Sequence, residues 1–136
     1  MPRKTDASNP ADWLWMASSD MEVIRLAVAQ RAGFTACRSK LAEVVEKIMK
    51  AELIRLGWRL ERTHDLERLL DELVGRKSDL VPALEPLCDA LTDAYFTDRY
   101  PGFDLDDPDW PTLARQVPMV DKLLETVGAR IGGKRT

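Results

Sequence analysis

Apolar residues recur along this chain every three or four positions, and no segment of useful length alternates apolar and polar as a half-buried strand would. Trp13, Ala17, Met21, Ile24 and Val28 mark one face of a first helix that starts at Pro10 and is broken by Gly33. A second helix, from about Phe34 to Leu56, carries two adjoining stripes: Cys37, Leu41, Val44, Ile48 and Ala51 form one, and Val45, Met49, Leu53 and Leu56 the other. A face that wide suits a central position in a bundle or a dimer contact. Leu66, Leu69, Leu70 and Leu73 give a third helix, with Thr63 as its N-cap, Asp65 and Glu67 near the positive end of its dipole, and Gly75 as its stop. Leu84, Leu87, Cys88, Leu91 and Tyr95 line a fourth that runs toward Asp98, its start blurred by Pro82 and Pro86. After an irregular loop, RYPGFDLDDPDWP, the spacing of Val120, Leu123, Leu124, Val127 and Ile131 predicts a fifth helix, which Pro118 either kinks or begins.

The pattern predicts an all-α fold, an up-and-down four-helix bundle with an additional short helix. A single domain is expected over residues 10–131, with residues 1–9 and 132–136 as flexible tails. The 136 residues, 45% of them hydrophobic, suffice for one ordinary core. With 20 Lys and Arg against 23 Asp and Glu, the net charge of -3 gives no global attraction to nucleic acid, so any polyanion must bind a local basic patch. Cys37 and Cys88 fall on apolar faces of different helices and read as buried, reduced thiols of a cytoplasmic protein. The opening MPRKTDASNP has no apolar run behind it, and no stretch approaches the roughly twenty apolar residues that cross a bilayer, so neither secretion nor membrane insertion is expected.

The chain has a single histidine, His64, the one side chain whose ordinary titration range suits acid–base chemistry at neutral pH. Arg59 and Arg62 precede it closely and could stabilise charge on a phosphoryl group, and a helix N-terminus nearby offers backbone N–H groups to phosphate. Two residue types at one spacing often coincide, so a purely structural role for His64, in the start and packing of the third helix, stands beside the chemical one. Along the second helix, Glu43 with Lys47 and Glu46 with Lys50 stand four residues apart and read as a solvated, self-paired surface. Asp104, Asp106, Asp107 and Asp109 lack the glycine and final glutamate of a calcium loop, no paired-cysteine zinc spacing or glycine-rich phosphate loop occurs, and no metal or cofactor is expected. Trp13, Trp15, Trp58 and Trp110 could stack on bases, although such residues more often anchor cores or interfaces.

Three stretches in order, EKIMKA (46–51), THDLERLLDEL (63–73) and RYPG (99–102), resemble the HEPN family, and the likeness spans roughly Trp13 to Ile131. The resemblance implies a helical bundle that commonly forms a homodimer. It also implies a place in toxin–antitoxin pairs, with a minimal nucleotidyltransferase as antitoxin. Many members are metal-independent ribonucleases that use an Arg and a His four to six residues apart; others are linked to nucleotide binding without cleavage. Carried onto this chain, His64, Arg59 and Arg62 become the catalytic candidates. Arg99, Tyr100, Lys47, Lys50 and Asp65 become the binding candidates for RNA or a nucleotide, and Tyr100 a possible target of the partner. Two departures stand out: Ala42 and Glu43 replace the glutamines usual before the EK motif, and Leu60 follows Arg59 where active members carry a polar residue.

Overall fold

The computed structural model describes residues 4–105 and 107–132. Among them are six helical segments and no strand: α1 (Pro10–Ala29), α2 (Phe34–Arg55), α3 (Leu66–Gly75), α4 (Val81–Leu91), α5 (Ala94–Thr97) and α6 (Trp110–Gly132). The long helices α1 and α2 pack along one another, α6 lies against both, and α3, α4 and α5 cover the rest of α2. The central position expected for α2 follows from its two stripes: Leu41, Val44, Val45, Ile48, Met49, Ala51 and Leu53 are all fully buried. They form one continuous core with Ala17, Met21 and Ile24 of α1, Leu69 and Leu73 of α3, Leu84 and Leu91 of α4, and Val120 and Val127 of α6. Among the described residues, no helix is long and apolar enough to cross a membrane.

The helix ends show local chemistry that apolar periodicity does not reveal. Asn9 caps α1 by accepting from Ala11 N–H at 3.0 Å, with Pro10 in the first turn. The left-handed turns that end α1 and α3 are made by Arg31 (φ 51°) and Lys77 (φ 55°), not by the nearby Gly33 and Gly75. In each, the residue after the turn bonds back to the helix: Ala32 N–H to the Ala27 carbonyl at 2.9 Å, and Ser78 N–H to the Leu73 carbonyl at 3.0 Å. The predicted fourth helix is broken after Leu91, where the Thr92 hydroxyl donates to the Cys88 carbonyl, and resumes as the single turn α5. Pro86 is accommodated inside α4. Pro118 lies inside α6, whose start at Trp110 is eight residues earlier than that proline, so it marks no boundary. Asp109 supplies the cap there, accepting from Thr112 N–H at 3.0 Å.

The expected flexible tails lie partly outside the described residues, as does Asp106 of the acidic loop. Within the described part, residues 6–9 are tied to α1: Asp6 N–H donates to the Asp12 carboxylate at 2.9 Å, and Trp13 Nε1–H to the Ala7 carbonyl at 2.8 Å. Both cysteines are buried and unbridged, and burial pushes the Cys88 thiol up to about 12. That thiol lies 3.8 Å from the Met49 sulfur. Two of the tryptophans serve as anchors, Trp58 buried and Trp110 edge-on to Phe34 at 5.3 Å, whereas Trp15 is half exposed.

A buried carboxylate joins α2 to α6. Glu52, 1% exposed, accepts from Arg55 at 2.7 and 2.9 Å and from Arg130 at 2.7 Å, and Arg130 reaches on to Asp79 at 2.7 Å. Burial alone would raise this carboxyl, but the two guanidinium groups outweigh it and hold it below its usual range. Replacing Glu52 by Gln is therefore expected to cost about 1.5–3 kcal/mol at neutral pH, the scale of hydrogen bonds to charged groups. Because the folded-state carboxyl is depressed, that advantage of the wild type is complete above the ordinary value of 4.5 and disappears as the pH falls through the lower folded value. Urea unfolding of both proteins at a series of pH values checks this; an advantage that does not shrink in acid contradicts it.

Candidate functional site

Along α2, Glu43, Glu46, Lys47 and Lys50 follow the i, i+3, i+4, i+7 spacing of a single helix face, a charged stripe on a helix otherwise built for the core. Only part of it is solvated. The side chains of Glu46 and Lys50 are 7% and 4% exposed and pair at 2.8 Å, while the two residues that looked equivalent in sequence, Glu43 and Lys47, do not pair with each other. Lys47 crosses to Asp20 on α1, and Glu43 takes Arg99 at 3.3 Å and Lys40 at 3.8 Å. The expected self-paired surface is thus replaced by cross-element bonds and one buried pair, because neighbouring elements close over this face. Lys50 is further covered by Trp13, whose ring centroid lies 5.1 Å from the ammonium.

The loop after α2 delivers the histidine. Gly57, at φ 93°, turns the chain out of the helix. Gly57 N–H returns to the Ile54 carbonyl at 3.0 Å and Trp58 N–H to the Leu53 carbonyl at 2.9 Å, with the Trp58 side chain buried as the anchor. From that fixed start the loop brings His64 over the stripe. Its Nδ1 lies 2.9 Å from the Glu46 oxygen that Lys50 does not use. Its ring stacks on Tyr95 at 4.5 Å with an interplanar angle of 15°. Arg99 approaches the Tyr95 ring too, its guanidinium carbon 4.4 Å from the centroid.

These groups line an open cleft of about 480 Å³, a volume in the range of small-ligand sites. Four cations, Lys47, Lys50, Arg62 and Arg99, face it against the two carboxylates Glu43 and Glu46, so the cleft is locally basic in a chain whose net charge is -3. Among the described residues the Arg62 guanidinium has no hydrogen-bond or ion-pair partner, and the His64 side chain remains 55% exposed. One uncommitted cation and one accessible imidazole therefore share a single basin.

Residues 11–127 match the family model of the HEPN domain. The chain belongs to the HEPN family. No curated protein and no solved structure matches it. The three stretches that carried the resemblance converge on this same cleft of the HEPN domain: EKIMKA supplies Glu46, Lys47 and Lys50, THDLERLLDEL supplies Thr63 and His64, and RYPG supplies Arg99.

Not every candidate is gathered there. Arg59, exposed and without a partner among the described residues, does not line the cleft, which leaves Arg62 as the arginine beside His64. Tyr100 is half exposed and stands outside, its ring 5.9 Å from the Arg99 guanidinium carbon. Asp65 is occupied as the N-cap of α3, accepting from Glu67 N–H at 3.0 Å and Arg68 N–H at 3.3 Å. The predicted cap, Thr63, instead accepts from Asp65 N–H at 3.1 Å, and His64 takes no part in the cap. Tyr95, Glu43 and Trp13 line the cleft without having been singled out for it. Tyr95 was hidden in an apolar stripe, Trp13 was one of four tryptophans that could stack on bases with nothing to set it apart, and Glu43 read as surface charge. Asp65→Ala should lower stability by about 1 kcal/mol and Thr63→Ala by clearly less, as measured by thermal unfolding; the reverse order contradicts Asp65 as the cap.

Proposed function

We propose that this HEPN domain binds the phosphate of RNA in the cleft and cleaves the chain as a metal-independent ribonuclease, the toxin of a toxin–antitoxin pair whose antitoxin is a minimal nucleotidyltransferase. The observation that carries the reading is the sharing of one basic cleft by the accessible His64 imidazole and the unpartnered Arg62 guanidinium. His64 takes the proton of a 2′-hydroxyl as its oxygen attacks the adjacent phosphorus, and Arg62, with Arg99 at the rim, offsets the charge that builds on the phosphoryl oxygens. The P–O5′ bond breaks, the leaving oxygen takes a proton, and the products are a 2′,3′-cyclic phosphate and a 5′-hydroxyl. The Tyr95 stack holds the imidazole in place for that transfer.

A single imidazole serves only one side of such a reaction at a time, and a homodimer that brings two clefts together would supply the second group. In that arrangement Arg59, which has no task in its own protomer's cleft, becomes a candidate to act on the other copy. A second reading has an observation of its own: Arg59 lies outside the cleft while Arg99 and Lys47 are already engaged by Glu43 and Asp20, which suits a non-catalytic nucleotide-binding module that partners the nucleotidyltransferase.

His64→Ala should abolish RNA cleavage and toxicity on expression while leaving the helical circular dichroism unchanged; a wild-type protein inert on every RNA offered, yet saturable by ATP, GTP or AMP in calorimetry, selects the binding module. Mixing the Arg59→Ala and His64→Ala proteins tests the shared site. Activity rising above that of either variant alone is the expected result of a dimer with composite clefts, and no gain on mixing rules that arrangement out.

A further inference from the structure

We propose that Glu46 and Lys50 form a positioning pair that locks His64 as the tautomer protonated on Nδ1, so that Nε2 alone is presented to the cleft. The consequence for catalysis rests on the ribonuclease reading; the tautomer does not.

Glu46 has two carboxylate oxygens and one partner for each. Lys50 Nζ lies 2.8 Å from Oε2, and His64 Nδ1 lies 2.9 Å from Oε1. A carboxylate held by an ammonium only accepts hydrogen bonds, so the imidazole nitrogen facing it must carry a hydrogen. In the neutral ring that leaves the lone pair on Nε2, the reverse of the tautomer favoured by a free imidazole. The nearly parallel contact with Tyr95 opposes a ring flip that would exchange the two edges. Lys50 cannot easily turn away, because it is 4% exposed and lies against the Trp13 ring, and that indole is itself fixed by its bond to the Ala7 carbonyl. The buried pair therefore does for His64 what a buried acid does for the histidine of a hydrolytic triad: it sets which nitrogen is the base and where it points.

Glutamine at position 46 separates this role from simple packing. Lys50 can only donate, so it takes the amide oxygen and turns the NH₂ group toward His64 Nδ1, which must then accept. The hydrogen moves to Nε2, and no lone pair faces the cleft.

Because His64 is the only histidine, its two ring nitrogens can be read without assignment by ¹⁵N NMR of the full chain at a pH of about 9, above the usual imidazole titration range. The wild type should show the Nδ1–H tautomer, and Glu46→Gln the Nε2–H tautomer. On an RNA substrate that variant should lose about 100-fold or more in kcat, the scale of general acid–base catalysis, with KM changed by no more than about threefold. A wild type in the Nε2–H form overturns the proposal even if no variant folds, and so does a Glu46→Gln protein that keeps the Nδ1–H form. A wild type with the Nδ1–H form that cleaves no RNA supports the positioning pair while removing the ribonuclease reading.

Discussion

The Glu46 carboxylate, buried in the floor of the cleft, constrains the elements around it. An ionised carboxylate withdrawn from water costs several kcal/mol, on the order of the effective penalty seen for buried ions, unless its oxygens find charged or strongly donating partners. Here one oxygen takes Lys50 from one turn further along α2, and the other takes His64 from the following loop. The first pairing needs Lys50 to be buried as well, which the Trp13 face on α1 makes tolerable. The second fixes where residues 57–65 must pass, and the Trp58 anchor with its helix-end bonds starts them on that course. Removing Lys50 would leave the buried carboxylate without its counter-charge, whereas removing His64 leaves a carboxylate still paired with Lys50, so it is Lys50 that binds the site to the stability of the bundle.

A division of labour follows among the cations of the cleft. Lys50 is spent on structure, Lys47 and Arg99 are tied to Asp20 and Glu43 in bonds that water can reach, and Arg62 is held by nothing among the described residues. Lys47 is paired with Asp20 at 19% and 20% exposure and is held more firmly, whereas the more exposed Arg99, whose pair contributes little to folding, can be recruited by an anion at small cost. Lys50 cannot. The uncompensated positive charge therefore lies at the mouth of the cleft, while its floor is neutralised internally.

The helices were legible because burial is periodic. Ala17, Met21 and Ile24, or Leu66, Leu69 and Leu73, repeat at the helical interval and end up in one core. Family membership was legible too, since its three short stretches survive intact. What the sequence hid was the choice between equivalent readings. Glu43 with Lys47 and Glu46 with Lys50 have the same spacing and order, yet one pair is split across elements and the other is buried, because the outcome depends on what α1 and the loops lay over the helix. Thr63 and Asp65 are both good caps, and two residues of loop geometry decide between them. Arg59 and Arg62 differ in which way the loop turns each side chain, which no spacing rule encodes, and Tyr95 carried only the signature of a core residue.

The most direct test of the cleft as a phosphodiester site is to follow the ring protons of His64 by NMR while adding a short 2′-O-methyl oligoribonucleotide, which has the phosphates of RNA but lacks the attacking hydroxyl. The expected result is a saturable displacement of those signals in the wild type and a markedly weaker affinity in Arg62→Ala. An oligonucleotide that leaves the imidazole signals unmoved at saturating concentration, or whose binding is indifferent to Arg62, contradicts the account.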